Sequence, residues 1–376
     1  MHHGIKTVTD LESFLQQDQN HNWAFKGLDL LPFEKELQNR NIQNSFFLGC
    51  QMSSTYLKSL ENNGNLVFPS IPTLPYHPFR NHLYTAKELL QGYEYGNFAS
   101  FLTQSQDGQI YRHYKKMSRN HVISTLMERI HDHAIDAALE KLLSINNRKM
   151  RSVGIMGGHS CKRNDPAYTQ IAELGYYLAQ SGYFVVTGGG PGAMEAGNLG
   201  AYMSQYPLTE LHQALEMLQV AQTYTDDLWF DSALDVLKKW PKGAESLGVP
   251  TWFYGHEPSN LFASYIAKYF ANSIREDGIL TICYGGIVYA PGSAGTIQEI
   301  FQDACQNHYG SCEHISAMVF LGTDYWTKEK PVYPLLFQLA QSRVYQELLG
   351  IYDDVPSIIE HLQNHPCIAM ADIEHP

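Results

Sequence analysis

Cysteine is sparse in this chain: six in 376 residues, none of them in a C-x-x-C pair. That excludes a disulfide framework and fits reduced thiols in a cytoplasmic protein. Long apolar runs are missing too. Nowhere do about 18 apolar residues follow one another, so no membrane span is expected. The opening residues, MHHGIKTVTDLESF, carry no apolar h-region, so no secretory signal is expected. Positive charge is short: 26 Lys and Arg stand against 38 Asp and Glu, a formal net charge of -12. A chain this acidic is a poor partner for broad nucleic-acid surfaces, although backbone N–H groups can still bind a phosphate locally. No low-complexity tract and no internal repeat is visible. What remains is ordinary globular composition, 44% apolar and 17% charged. The length suits two or three domains of about 150 residues.

Residues 1–148 read as an N-terminal α/β region. Ser45–Gly49 and Leu66–Phe68 look like strands around a helix over Ser53–Asn62, followed by a proline-rich connection over 69–78. Apolar spacing predicts a helix over 120–143, and the polar stretch 146–149 marks a boundary. From Arg151 onward, strand and helix alternate. Strands are expected at 153–156, 183–187, 249–253, 287–290 and 317–321. Helices are expected at 166–180, 193–203, 260–283 and 294–308. A leucine-rich helical insertion over about 205–247 interrupts the series, and 351–376 reads as a C-terminal helical tail. Alternation of this kind implies an α/β fold: a doubly wound, Rossmann-like parallel sheet with helices on both faces. Ligands of such sheets bind beyond the C-terminal strand ends.

Two glycine-rich segments join a strand to a helix there. The first is Thr187-Gly188-Gly189-Gly190-Pro191-Gly192-Ala193-Met194-Glu195. Glycines let the backbone approach a ligand, and the free N–H groups of a helix start attract anions. Gly188, Gly190 and Ala193 satisfy the dinucleotide pattern GxGxxA. That pattern also needs an acidic residue about twenty positions on, after another strand, and here that place is helical, around Glu210. A tight turn without a ligand is the bland alternative. The second segment is Pro291-Gly292-Ser293-Ala294-Gly295-Thr296-Ile297-Gln298-Glu299. Thr296 and Glu299 read as a capping box, with Thr as N-cap and Glu at N3. That leaves two glycines and a serine before the cap unexplained, and such a loop can wrap a phosphate. A carboxylate just inside the same helix, close to what the phosphate carries, makes a hydrolase site.

The segments PGSAGTIQE (291–299) and GGGPGAME (188–195) resemble the motifs PGGxGTxxE and GGGxxGxM of the Lonely Guy family of nucleoside 5′-monophosphate phosphoribohydrolases. VGIMGGHS (153–160) is similar to that family's first strand and loop, with Ser160 at the position of its second serine. Asn272-Ser273-Ile274-Arg275-Glu276 stands where the family has M-x-x-R-K, so Asn272 replaces Met and Glu276 replaces Lys. Residues 265–277 and 290–310 look like the larger bacterial branch, the nucleotide 5′-monophosphate nucleosidases. The resemblance covers roughly residues 150–345 and makes 149–350 the catalytic domain. It implies hydrolysis of a nucleoside 5′-monophosphate to free base and ribose 5-phosphate, without cofactor or metal. Glu299 and Arg275 are the expected catalytic residues. The expected nucleotide- and phosphate-binding residues are Gly188, Gly189, Gly190, Gly192, Met194, Glu195, Gly292, Ser293, Ala294, Gly295, Thr296, Ser160 and Asn272. Glu299 is expected to stabilise positive charge on the ribose and activate water; Arg275 is expected to hold phosphate or ribose hydroxyls. Relatives often carry a lysine-decarboxylase label, but neither glycine loop has the Schiff-base lysine which that chemistry needs.

The family's habit also implies a homo-oligomer. The remaining readings are a nucleotide-binding sensor or carrier without catalysis, and hydrolysis of a cytokinin riboside 5′-monophosphate. Cys305, His308, Cys312 and His314 are dense enough to raise a zinc site, but their spacing fits no common finger, and Gly310 is expected to end the helix between them.

Overall fold

The computed structural model describes residues 3–117, 121–255 and 257–372. The chain divides into two compact units, one of residues 1–82 and 116–138, the other of 83–115 and 139–376. The division therefore does not follow the single boundary expected at 148. Segment 83–115 belongs to the second unit for identifiable reasons. Its Tyr93 hydroxyl and Gly96 N–H donate to the Asp231 carboxylate at 2.8 and 2.9 Å. Its Asp107 accepts from Trp252 Nε1 at 2.7 Å and from Lys268 Nζ at 2.8 Å. Lys268 and Asp107 are only 1% and 4% exposed, so this is a buried ion pair.

The first unit is built from a short coil that repeats. Its strands β1 (His3–Ile5), β2 (Trp23–Lys26), β3 (Phe46–Leu48) and β4 (Leu66–Phe68) lie in chain order, all parallel. His3 pairs with Trp23, Ala24 with Phe46 and Phe46 with Leu66, separations of 20, 22 and 20 residues. A helical segment follows each of the first three strands: Val8–Leu15, Glu34–Gln38 and Ser54–Asn62. The coil repeats in strand register while its sequence shows no repeat of residues. Only the inward positions recur: Ile5, Phe25 and Phe47 from the strands, Leu11, Leu37 and Leu60 from the helices, all buried. Phe25 and Phe47 stack at 4.5 Å. Polar side chains link one coil to the next: Trp23 N–H donates to Ser45 Oγ at 3.1 Å, and Ser45 N–H to Asn65 Oδ1 at 3.0 Å. The expected helix over 120–143 runs Val122–Ser144; its expected first residue lies outside the described residues.

Among the described residues, the second unit holds nine strands: β5 (Ser152–Met156), β6 (Phe184–Thr187), β7 (Leu247–Gly248), β8 (Tyr265–Ile266), β9 (Ile287–Tyr289), β10 (His314–Ile315), β11 (Met318–Leu321), β12 (Leu349–Tyr352) and β13 (Ile368–Ala369). Seven form a parallel sheet in the order β12-β11-β9-β5-β6-β7-β8. β10 and β13 make a separate antiparallel pair. The inner strands are buried along their whole length, as sheets covered by helices on both faces require. This is the expected Rossmann-like α/β architecture. Helices Pro166–Gln180 and Ala193–Met203 have the expected bounds, set by Pro166 at the start of one and Gly192 just before the other.

Three further expectations, all in the second unit, fail. Residues 260–283 are not one helix. The Asn260 side chain accepts from Phe262 and Ala263 N–H at 3.1 and 3.3 Å, β8 adds a strand to the sheet, and the helix is Asn272–Thr281. Leu261, Phe262, Ala263, Ile266 and Ala267 are all buried, so the run is apolar without a helical period. The strand expected at 249–253 is instead Leu247–Gly248, at the end of the stretch read as a helical insertion over about 205–247; that insertion is the two helices Leu208–Leu218 and Trp229–Lys239. The tail expected to be helical over 351–376 contains the end of β12, the helix Val355–Asn364 and β13; residues 373–376 lie outside the described residues. No helix among the described residues is long and apolar enough to cross a membrane.

Candidate functional site

β5 is the point where the sheet changes direction. From β5 the chain winds out through β6, β7 and β8, then returns to β9 on the other side of β5. A crevice opens at such a point beyond the C-terminal strand ends. Three loops meet there and are tied backbone to backbone. Gly158 N–H, after β5, donates to Pro291 O, after β9, at 3.0 Å; Ala193 N–H, after β6, donates to Gly158 O at 3.1 Å. Ser160 sits exposed on the first of these loops.

The loop Gly188–Gly192 is buried and held from below. Gly189 has φ +73° and Gly192 has φ +69°, values that favour glycine. Asn260 N–H donates to Gly189 O at 2.9 Å, and Asn260 Nδ2 donates to Gly190 O at 3.1 Å. The same Nδ2 reaches Asn198 Oδ1 at 3.0 Å, where the Thr187 hydroxyl also donates at 2.6 Å. These side chains are fully buried and act as a rigid floor. A Cβ added at Gly188 would lie 2.4 Å from Arg275 Nη2 and 2.5 Å from Met194 Sδ. Gly188 is therefore the backbone surface on which Arg275 and Met194 rest.

Arg275 and Glu299, 24 positions apart in sequence, meet here. Arg275 Nη1 donates to Glu299 Oε1 at 3.3 Å, and Arg275 Nε is anchored on Val249 O at 2.8 Å. Burial pushes the Glu299 carboxyl above its ordinary value; Arg275 pulls it back, and the nearby Glu276 pushes it up again. One turn further, burial pushes the Asp303 carboxyl up to about 7, although the Tyr289 hydroxyl donates to it at 2.7 Å.

The capping box expected at Thr296 and Glu299 is not formed. The helix runs Ala294–Tyr309 with Ser293 as N-cap, which puts Thr296 inside the first turn. Thr296 is buried against Gly292, where an added Cβ would lie 2.1 Å from Thr296 Oγ1. Ser293, Ala294 and Gly295 are exposed, so the amino end of this helix is open. Lys330 Nζ donates to Gly292 O at 3.1 Å and to Ser293 Oγ at 3.2 Å, and the Tyr325 hydroxyl also donates to Gly292 O. Lys330 thus brings a cation to a loop already rich in N–H donors, and no motif had marked it.

Glu195 has a different part from the one expected. Arg163 donates to its two oxygens at 2.9 and 2.5 Å, and the Tyr168 hydroxyl adds a third bond at 2.8 Å. Arg163 and Glu195 are each 1% exposed. The carboxylate anchors the loop after β5 to the helix after β6. Beside it lies a cavity of about 300 Å³, lined by Ser160, Lys162, Gly192, Thr223 and Tyr224 among others. Asn272 lies one turn before Arg275 and bonds Glu276 at 2.7 Å. Gly310 ends the helix after Cys305 and His308 with φ +58°, as expected, while His314 packs on Tyr284 with ring centres 3.4 Å apart. Among the described residues, no group of three or more His, Cys, Asp or Glu could hold a metal ion.

The fold and the site define a Rossmann-like α/β protein with two glycine loops at the turning point of its sheet, where this class places phosphorylated ligands. Residues 150–205 match the family model described as the SLOG cluster4 family. That segment carries Ser160 and the loop Gly188–Glu195; Arg275 and Glu299 lie outside it. No curated protein matches the chain. Among solved structures, the molybdenum cofactor binding protein from the phototrophic bacterium Rippkaea orientalis is 14% identical, covering 57% of this chain and 95% of that one, with a TM-score of 0.35. The molybdenum cofactor carrier protein from Chlamydomonas reinhardtii is 15% identical, covering 57% and 96%, with a TM-score of 0.33.

Proposed function

We propose that this chain hydrolyses the N-glycosidic bond of nucleoside 5′-monophosphates, releasing free base and ribose 5-phosphate. The observation that carries the reading is the largely buried Arg275–Glu299 pair, 3.3 Å apart, with Glu299 inside the helix whose open amino end follows Gly292 and Ser293 and Arg275 reaching it from the helix Asn272–Thr281. The exposed N–H groups of that end and Lys330 suit a phosphate. Cleavage builds positive charge on the ribose, which a carboxylate at Glu299 offsets while it orients water. Arg275 is fixed by Val249 O and Glu299, and its remaining donors suit ribose hydroxyls or phosphate. The test is a panel of AMP, GMP, CMP and UMP with purified protein, read by chromatography for free base. Release of base supports the reading. Nucleotide retained intact on the protein, with no base formed, would favour a sensor or carrier.

Two results follow for the active protein. Glu299 must be ionised to offset ribose charge. Its carboxyl is raised by burial, so turnover is expected to rise with pH through a value above the ordinary 4.5. An acid limb of kcat at or below that value contradicts this role. Gly188→Ala is expected to lower kcat by about 10²-fold, the scale of a misplacement near 1 Å, because its methyl group would push Arg275 aside. Full turnover in that variant would mean that Arg275 need not rest there.

A further inference from the structure

The dinucleotide pattern over Gly188, Gly190 and Ala193 lacks its acidic residue at the usual distance because two helices, Leu208–Leu218 and Trp229–Lys239, are inserted before the next strand. That strand is β7. It pairs parallel to β6, Thr187 with Gly248, so β6, the helix Ala193–Met203 and β7 form the βαβ unit to which the pattern belongs. The first acidic residue after β7 is Glu257. Its side chain returns to the glycine loop: a Cβ added at Gly190 would lie 3.9 Å from Glu257 Oε2. His159 Nδ1 stands 3.7 Å from the other oxygen.

Glu257 shares this face of the loop with Arg275. Added Cβ atoms at Gly188 and Gly190 would lie 2.5 Å from Met194 Sδ and 2.9 Å from its Cε, so one side chain runs along both positions. Arg275 Nη2 stands against the first of them and Glu257 Oε2 against the second. Two residues of chain span at most about 7 Å, which puts both groups within reach of one bound nucleotide. The face is open to a ligand: Met194 is half-buried, and the Glu257 and His159 side chains are 18% and 52% exposed.

We propose that Glu257 accepts a hydroxyl of the ribose 2′,3′-diol, so that the site selects ribonucleotides over nucleotides without that diol. This rests on the nucleotide-binding part of the reading given above for the same site. A carboxylate only accepts, and a sugar diol brings O–H donors to it. An acidic group at the neighbouring strand, turned to a glycine loop, is how a βαβ nucleotide unit holds a ribose. A site built around a bond to a substrate hydroxyl rejects the analogue that lacks it. Glu257 is here a positioning residue for the sugar, while the bond to the base is broken beside Glu299.

The test is equilibrium dialysis of AMP and 2′,3′-dideoxy-AMP, which share base and phosphate, against Glu299→Gln protein, so that turnover does not consume the ligand. AMP is expected to be held at least about tenfold more tightly, the scale of one hydrogen bond to a charged group. Adding Glu257→Ala is expected to cut that preference about tenfold, by weakening AMP and leaving 2′,3′-dideoxy-AMP unchanged. A purely structural role would weaken both ligands alike and keep the ratio. Where Glu257→Ala does not fold, Glu257→Gln is read for the same fall. Equal retention of the two ligands before Glu257 is changed overturns the proposal, as does a ratio that Glu257 variants leave unaltered or a failure to retain AMP at all. If the wild-type protein releases no base from any nucleotide, the hydrolytic reading has failed, and the same dialysis with wild-type protein decides this proposal separately.

Discussion

Glu299→Gln is expected to lower base release from a nucleoside 5′-monophosphate by at least about 10²-fold in kcat, with nucleotide affinity nearly unchanged. Glutamine keeps the length of the side chain, and its carbonyl can still accept from Arg275 Nη1, now bonded to Glu299 at 3.3 Å. The glycine loops, Lys330 and Arg275 remain in place to hold the nucleotide. What is lost is the negative charge beside the ribose, which matters most in the transition state. Stability should be held or raised, since burial already disfavours the charged carboxyl. The combination separates chemistry from folding: lower kcat, unchanged binding, unchanged or higher melting temperature. Release at the wild-type rate would remove Glu299 from the mechanism.

The largest effect on stability is expected at Arg163. Arg163→Met leaves the Glu195 carboxylate buried with the Tyr168 hydroxyl as its one remaining side-chain donor among the described residues. Breaking a buried pair in this way costs about 3–5 kcal/mol, because the surviving charge is uncompensated. Arg163 also donates to Trp229 O at 3.2 Å and Ser232 Oγ at 2.9 Å and lies 4.9 Å from the Trp229 ring centre, so the insertion helix loses its anchor as well. Urea unfolding followed by tryptophan fluorescence measures the loss. Replacing both partners, Arg163→Met with Glu195→Leu, should recover much of it, since apolar side chains in place of a buried ion pair are often neutral. A single variant within about 1 kcal/mol of wild type would place the pair among those that contribute little.

Much of the second unit was legible where glycine and proline punctuate apolar runs. Pro166, Gly182 and Gly192 delimit two helices whose bounds come out as expected, and β5, β6, β9 and β11 are short apolar runs, as buried parallel strands must be. Arg275 and Glu299 were legible through motif spacing, and the fold brings them together. Other features leave no local signal. Glu195 looked like part of a ligand loop, but its partner Arg163 is 32 residues away, on another loop. Asn260, which supports the glycine loop, sits in an apolar run that reads as helix until its side chain is seen accepting from Phe262 and Ala263. The capping box failed because the helix starts at Ala294, before Thr296, a shift that a four-residue pattern does not register. The coil of the first unit repeats shape and burial without repeating residues, so only the register of its strands reveals it.

The account turns on whether the Arg275–Glu299 site breaks the bond between base and ribose. The direct measurement is the product ratio from AMP with purified wild-type protein. The account predicts free adenine and ribose 5-phosphate in equal amounts, both lost in Glu299→Gln. AMP recovered intact after prolonged incubation with protein that binds it would contradict the account.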